Sequence, residues 1–301
     1  MRTIAALCTL AALLVAACRP DLGDRDSLVS EERILAVRGE PPEAKLGEVV
    51  TYQVLVASPD PNAKDGPVAW AFCATPKTLN ENNVVSTECL GEGVHPFAAP
   101  PAYEVTEPMP GDGCALFGPE TPPGNFRPRD PDQTGGYFQP VRVRTKSATA
   151  FGLERLVCNL ANAPVDIAQE FKSRYTTNKN PHLAVLVATV NGAPRTLAQL
   201  PAGERVDFQA SWAPEDPEAY VAFDIATQSV AARRESLRVS WFATAGAFDA
   251  DRTGRGETEP ETSTVNGWRA PDESAKVILW MVLRDSRGGV DFARYELGVV
   301  R

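Results

Sequence analysis

Histidine is almost absent from this chain: two in 301 residues, His95 and His182. Neither has a neighbouring metal-ligand partner, and no H-E-x-x-H, nucleophile elbow, phosphate-binding loop or dinucleotide fingerprint occurs. Basic runs are missing as well. The 30 Lys and Arg are scattered, with no run longer than Arg233-Arg234, and the formal net charge is −9. That balance argues against a nucleic-acid partner and against a polybasic membrane patch. After residue 17 no apolar run approaches the roughly 20 residues of a membrane-spanning helix. Cysteines at zinc-finger spacing are missing too, since the gaps between Cys73, Cys89, Cys114 and Cys158 are 16, 25 and 44 residues. The expectation is therefore no cofactor and no metal, with enzymatic chemistry surviving only as a site built from dispersed carboxylates among the 39 Asp and Glu.

What is present begins at the N-terminus. Met1-Arg2-Thr3 supplies one positive charge, and Ile4 to Ala17 is apolar but for Cys8 and Thr9. This is a signal-peptide pattern, residues 1–17. It closes on Leu14-Val15-Ala16-Ala17-Cys18, which resembles the lipobox of bacterial lipoproteins. The resemblance implies cleavage before Cys18, a diacylglyceryl group on its sulfur and firm attachment to a membrane by two or three chains. Arg19, where an Asp would imply retention at the inner membrane, implies the outer membrane, and the leaflet stays open. With Cys8 removed and Cys18 lipidated, Cys73, Cys89, Cys114 and Cys158 remain. An even number in an exported chain predicts two disulfides, with three pairings possible.

The length after the leader fits about two domains. Residues 18–30 read as a polar tether. Alternating segments at Arg33 to Arg38, Val49 to Val56 and Val68 to Cys73, separated by Pro- and Gly-containing turns, read as strands of a sandwich. Gly47-Glu48-Val49-Val50-Thr51-Tyr52-Gln53 reappears 156 residues later as Gly203-Glu204-Arg205-Val206-Asp207-Phe208-Gln209, and Val68-Ala69-Trp70 returns 171 residues later as Val239-Ser240-Trp241. Repeats at this period indicate tandem domains, the second carrying about 15 extra residues between these strands. At these residues, and at the hairpin pattern Lys276 to Val300, the chain resembles bacterial immunoglobulin-like and PKD-like modules. The resemblance implies a mainly β fold of two immunoglobulin-like β-sandwich domains, residues 31–160 and 183–301, neither with cysteines on the two strands that the antibody disulfide joins.

Between them, residues 161–182 are read as linker and one short helix, with Pro164 at its first position and Ile167, Phe171 and Tyr175 on one face. Within domain 1, residues 74–140 are read as an irregular excursion pinned by disulfides, because residues 91–140 hold 11 Pro and 8 Gly. The loop around Asp249 and Asp251 mimics the start of a calcium loop, but its twelfth position is Pro260. It is read as a solvated hairpin loop instead. The function expected is that of a membrane-anchored envelope lipoprotein, a binding or structural module for a protein or glycan partner. The alternative is an envelope hydrolase.

Overall fold

The computed structural model describes residues 26–60, 66–77, 81, 83–120 and 136–301. The signal peptide and Cys18 lie outside these residues. Domain 1 lays down β1 (Arg33–Glu40), β2 (Glu43–Ala44), β3 (Val49–Ala57), β4 (Ala69–Cys73), β5 (Val94–Pro96), β6 (Glu104–Pro108), β7 (Tyr137–Arg144) and β8 (Thr149–Leu156). They form two sheets, β1-β3-β6 and β2-β8-β7-β4-β5. Period-2 alternation decides which faces meet: Val50, Tyr52 and Val54 on β3 point inward against Trp70, Phe72, Val141 and Val143 of the second sheet.

Domain 2 repeats the plan with β9 (Val187–Val190), β10 (Ala193–Arg195), β11 (Leu200–Pro201), β12 (Arg205–Ser211), β13 (Ala219–Asp224), β14 (Ser229–Arg234), β15 (Leu237–Ala243), β16 (Ala247–Phe248), β17 (Arg252–Arg255), β18 (Ser263–Arg269), β19 (Ala275–Arg284) and β20 (Val290–Val300). Its sheets run β10-β9-β12-β18-β16 and β11-β20-β19-β15-β17. Placed side by side, β9-β12-β18 matches β1-β3-β6, and β11-β20-β19-β15-β17 matches β2-β8-β7-β4-β5. In both, a two-residue strand runs parallel to the last strand of its domain, Glu43 beside Arg155 and Leu200 beside Val299. Among the described residues all other pairings between named strands are antiparallel, and an isolated parallel bridge joins Leu28 to Ala243. This is immunoglobulin-like topology, built twice.

The sequence repeat falls on equivalent corners. Gly47 and Gly203 enter β3 and β12 with φ of 76° and 70°, a left-handed backbone that favours glycine. Trp70 and Trp241 occupy equivalent strands, opposite Val143 on β7 and Met281 on β19. The extra residues of domain 2 form the β13–β14 hairpin.

The Pro- and Gly-rich excursion carries some order of its own. A 3-10 turn, Thr87–Leu90, is tied to the end of β4 by Cys73–Cys89, and the helical turn Gly113–Leu116 is tied beyond β8 by Cys114–Cys158. Between them β6 pairs with β3 from Gln53↔Glu104 to Val49↔Pro108. Only Val105 of its five residues is buried, which is why periodicity does not reveal it.

The interdomain helix spans Val165–Arg174, and Pro164 is its N-cap, not its first helical residue, with an extended ψ of 149°. It lies against the β13–β14 hairpin, and Phe171 stacks on Tyr175 at 4.9 Å. No residue of the helix is fully buried.

A third apolar cluster belongs to neither sandwich core. Leu35, Ala36, Leu55 and Ala57 of domain 1 pack on Ile278, Trp280 and Val282 of domain 2, together with Val29 and Val290. These domain 2 residues alternate along β19 with Val277, Leu279 and Met281, which face the domain's own core. Both faces of β19 are thus buried, so the strand reads as a nearly continuous apolar run.

A candidate functional site in the seam between the domains

Beside this apolar seam lies an ionic one, assembled from the turn between β19 and β20. Asp285 Oδ1 accepts the backbone N–H groups of Arg287, Gly288 and Gly289 at 2.8, 2.7 and 2.8 Å, folding the turn tightly. Gly288 adopts φ 112°. The turn directs Arg287 into the protein, where its side chain is fully shielded from water.

Arg287 Nε donates to Glu235 Oε1 at 2.5 Å, and its two Nη atoms donate to Glu218 Oε2 at 2.8 Å and to the Thr176 carbonyl at 2.6 Å. The guanidinium also lies over the Tyr220 ring, 4.7 Å from its centroid. Glu218 and Glu235 flank the β13–β14 hairpin and hold each other in place. The Glu218 N–H donates to Glu235 Oε2 at 2.9 Å, and the Glu235 N–H donates to the Glu218 carbonyl at 3.0 Å.

The chain after the interdomain helix extends this network into domain 1. Tyr175 Oη donates to Glu43 Oε2 at 2.8 Å, and the Asn178 N–H donates to the same oxygen at 2.9 Å. Glu43 faces Arg155 Nε at 3.4 Å, with both side chains nearly inaccessible. Asn180 bridges the domains, donating to the Gly39 carbonyl at 2.7 Å while accepting the Val290 N–H at 2.7 Å. Arg38 pairs with Asp291 at 3.1 Å, and Arg284 donates to the Leu35 carbonyl at 2.9 Å.

Glu43, Glu154 and Glu235 are buried here together with Arg155 and Arg287, and Glu218 and Asp285 are partly enclosed. The acids outnumber the buried cations, and the carboxyls respond accordingly. Glu235 is pushed up to about 7 by burial and then by the charge of Asp285, against the pull of Arg287. Glu154 is raised well above the usual range by burial and by Glu43, Glu40 and Glu48. Burial also raises Asp285, and it pushes Tyr175 up to about 12. For Arg287, burial works against the charge, but Glu235 and Tyr175 outweigh it and the net shift is upward. These are the signs expected of charges withdrawn from water.

Chemically, the arrangement clamps. Glu43 and Glu154 are acids of the kind that dispersed-carboxylate catalysis would use, and the two residues are 4% and 3% exposed. His95 is exposed on β5, and His182 Nδ1 sits 3.2 Å from Asp216 Oδ1. Asp249 is engaged by Arg205 at 2.5 Å, and Arg252–Arg255 forms β17 against β15, so this stretch is not a free loop. Among the described residues no three His, Cys, Asp or Glu converge as a metal site would require. No helix among them is long and apolar enough to cross a membrane.

Arg287, Glu218, Glu235, Glu43 and Glu154 carried no signal that spacing would reveal. Glu154-Arg155 is the partial exception, a charged pair inside a strand segment whose neighbours are apolar.

No protein-family model and no curated protein matches this chain. Among solved structures, it is similar to a Salmonella alpha-2-macroglobulin variant at 13% identity and TM-score 0.26, covering 93% of this chain but 15% of that one. A chimeric titin tandem aligns at 12% identity and TM-score 0.24, over 90% of this chain and 100% of the other. The Yersinia pseudotuberculosis adhesin InvE aligns at 11% and 0.21, over 91% of this chain and 61% of the adhesin. Scores this low carry no argument, and the fold rests on the strand order above.

Proposed function

We propose that this protein is an envelope lipoprotein, anchored through lipid on Cys18, whose immunoglobulin-like domains 31–160 and 183–301 act as one rigid binding or structural module. The observation that carries this reading is the double seam. An apolar cluster around Trp280 spans the domains, and an enclosed ionic network centred on Arg287 of domain 2 reaches Glu43 of domain 1 through Tyr175 of the interdomain segment, an arrangement suited to holding a fixed surface and not to opening and closing around a substrate. The Leu14 to Cys18 pattern supports the anchor, Arg19 supports the outer membrane, and the two disulfides support an oxidising compartment. The partner class is a protein or a glycan.

Two measurements test the reading. Intact mass of the protein from native membranes should show a diacylated Cys18, and Cys18→Ser should move the protein to the soluble fraction. Spin labels on exposed Glu104 and Val265 should give one narrow interdomain distance. An unmodified N-terminus would remove the anchor, and a broad distance distribution would remove the rigid body.

A further inference from the structure

We propose that the open edge of β8 binds an extended peptide segment of a partner protein, one with a basic residue at one end and apolar side chains at alternate positions. The inference deepens the binding-module reading and rests on it.

Three adjoining depressions follow β8. The first, about 340 Å³, is lined by Glu31, Glu32, Ser147, Thr149 and Arg33, whose guanidinium donates to the Asp26 and Leu28 carbonyls and not to Glu32. It shares Ile34 and Ala150 with the second, about 380 Å³, which lies between β1 and the Arg284–Gly288 turn. That in turn shares Phe151 and Leu153 with the third, about 440 Å³, walled by Val84, Val85 and Leu90. Together they make one groove along the strand.

β8 has β7 on one side. On the other, β2 reaches only Arg155 and Leu156, and among the described residues no strand pairs with Thr149 to Glu154. Such an edge presents backbone donors and acceptors with no ladder partner, and strand addition satisfies them. Five residues of strand span roughly 17 Å.

The two ends of the groove differ in chemistry. At the far end Val84 is 76% exposed, Leu90 49% and Leu153 40%, an apolar wall left in water. At the near end the Glu32 carboxylate is fixed by the hydroxyls of Ser147 and of Thr145, the latter at 2.6 Å. These hydrogen bonds hold its pKa below the usual value, and no Lys or Arg of the described residues pairs with it. A fixed anion without a counter-ion, beside the exposed carboxyl of Glu31, calls for a cation on the ligand. An extended peptide with a Lys or Arg at that end, and apolar side chains following, supplies every missing partner.

The test uses the mature full-length chain and two fluorescein-labelled peptides, Lys-Val-Thr-Val-Thr-Val and Gln-Val-Thr-Val-Thr-Val, together with their reversed sequences. Binding by anisotropy in the micromolar range is expected, with hydrogen-exchange protection confined to amides of residues 149–153. Glu32→Gln should weaken the Lys peptide about tenfold and leave the Gln peptide unchanged. Leu153→Lys should abolish binding, and Val84→Lys, at a site too exposed to affect folding, should weaken it. No binding by any of the peptides, protection elsewhere, or equal loss for both peptides in Glu32→Gln would overturn the proposal. A null result alongside a narrow interdomain distance and a lipidated Cys18 would remove the groove alone.

Discussion

Arg287 Nε and Glu235 Oε1 meet at 2.5 Å with neither side chain exposed to water, and Glu235 holds its proton up to about pH 7. Between the ordinary value of 4.5 and about 7, Glu235 binds its proton more tightly in the folded chain than in the unfolded one, so its contribution to stability is full below pH 4.5 and is lost as the pH rises through about 7. The upward shifts of Asp285 and Glu154 have the same sign and add to the fall. Glu32, shifted downward, acts oppositely, its contribution being lost only as the pH falls below about 4.5. Urea denaturation at pH 5 and pH 8 should show greater stability at pH 5, with Glu235 contributing at most about 3 kcal/mol. Glu235→Gln should flatten the slope between these values. An unchanged slope in that variant would assign the pH dependence elsewhere.

Trp280 is 2% exposed but lies outside both sandwich cores, in the seam. Truncating a buried Trp costs about 3–5 kcal/mol, and here the loss should fall on the coupling between domains. Calorimetry of Trp280→Ala should therefore split one unfolding transition into two, whereas Trp241→Ala should lower the transition of domain 2 itself. The Trp280 indole N–H meets no acceptor among the described residues, so Trp280→Phe should retain most of the coupling. A single transition in Trp280→Ala at the wild-type temperature would show that the seam contributes little.

Both disulfides lie in domain 1, closing separations of 16 and 44 residues. Loop-closure entropy assigns them about 3 and 4 kcal/mol. Reductant should destabilise domain 1 and open residues 74–140 to protease while fragments of domain 2 survive intact. The full chain is the proper sample, because cutting at residue 183 bares Ile278, Trp280 and Val282 to water. Simultaneous loss of both domains on reduction would mean that the seam, not the disulfides, sets the stability of the whole.

The sandwiches were legible because their signals are local. Gly47 and Gly203 need a left-handed backbone, β3 and β12 alternate, and Trp70 and Trp241 are large enough to mark a core. Strand β6 was hidden because an edge strand with one buried residue has no period to detect. The ionic network was hidden for a different reason. Glu43, Glu235 and Arg287 are ordinary surface residue types, and they become buried only when elements distant in sequence pack on one another. That is information about docking, and no periodicity within one domain contains it. The same holds for the groove, which exists because β2 stops after two residues.

The β13–β14 hairpin has no counterpart among the described residues of domain 1, and the two carboxyls that grip Arg287 stand immediately before and after it. Its base is therefore a self-contained cassette: two acids, registered by their own backbone hydrogen bonds, that need only an arginine in the neighbouring turn to close a joint. The clamp lies within domain 2 and reaches domain 1 through the interdomain segment, by the Thr176 carbonyl and by Tyr175, whose hydroxyl binds Glu43. Grafted into the equivalent loop of another tandem array, the same cassette would offer an enclosed anchor for the segment that joins one module to the next.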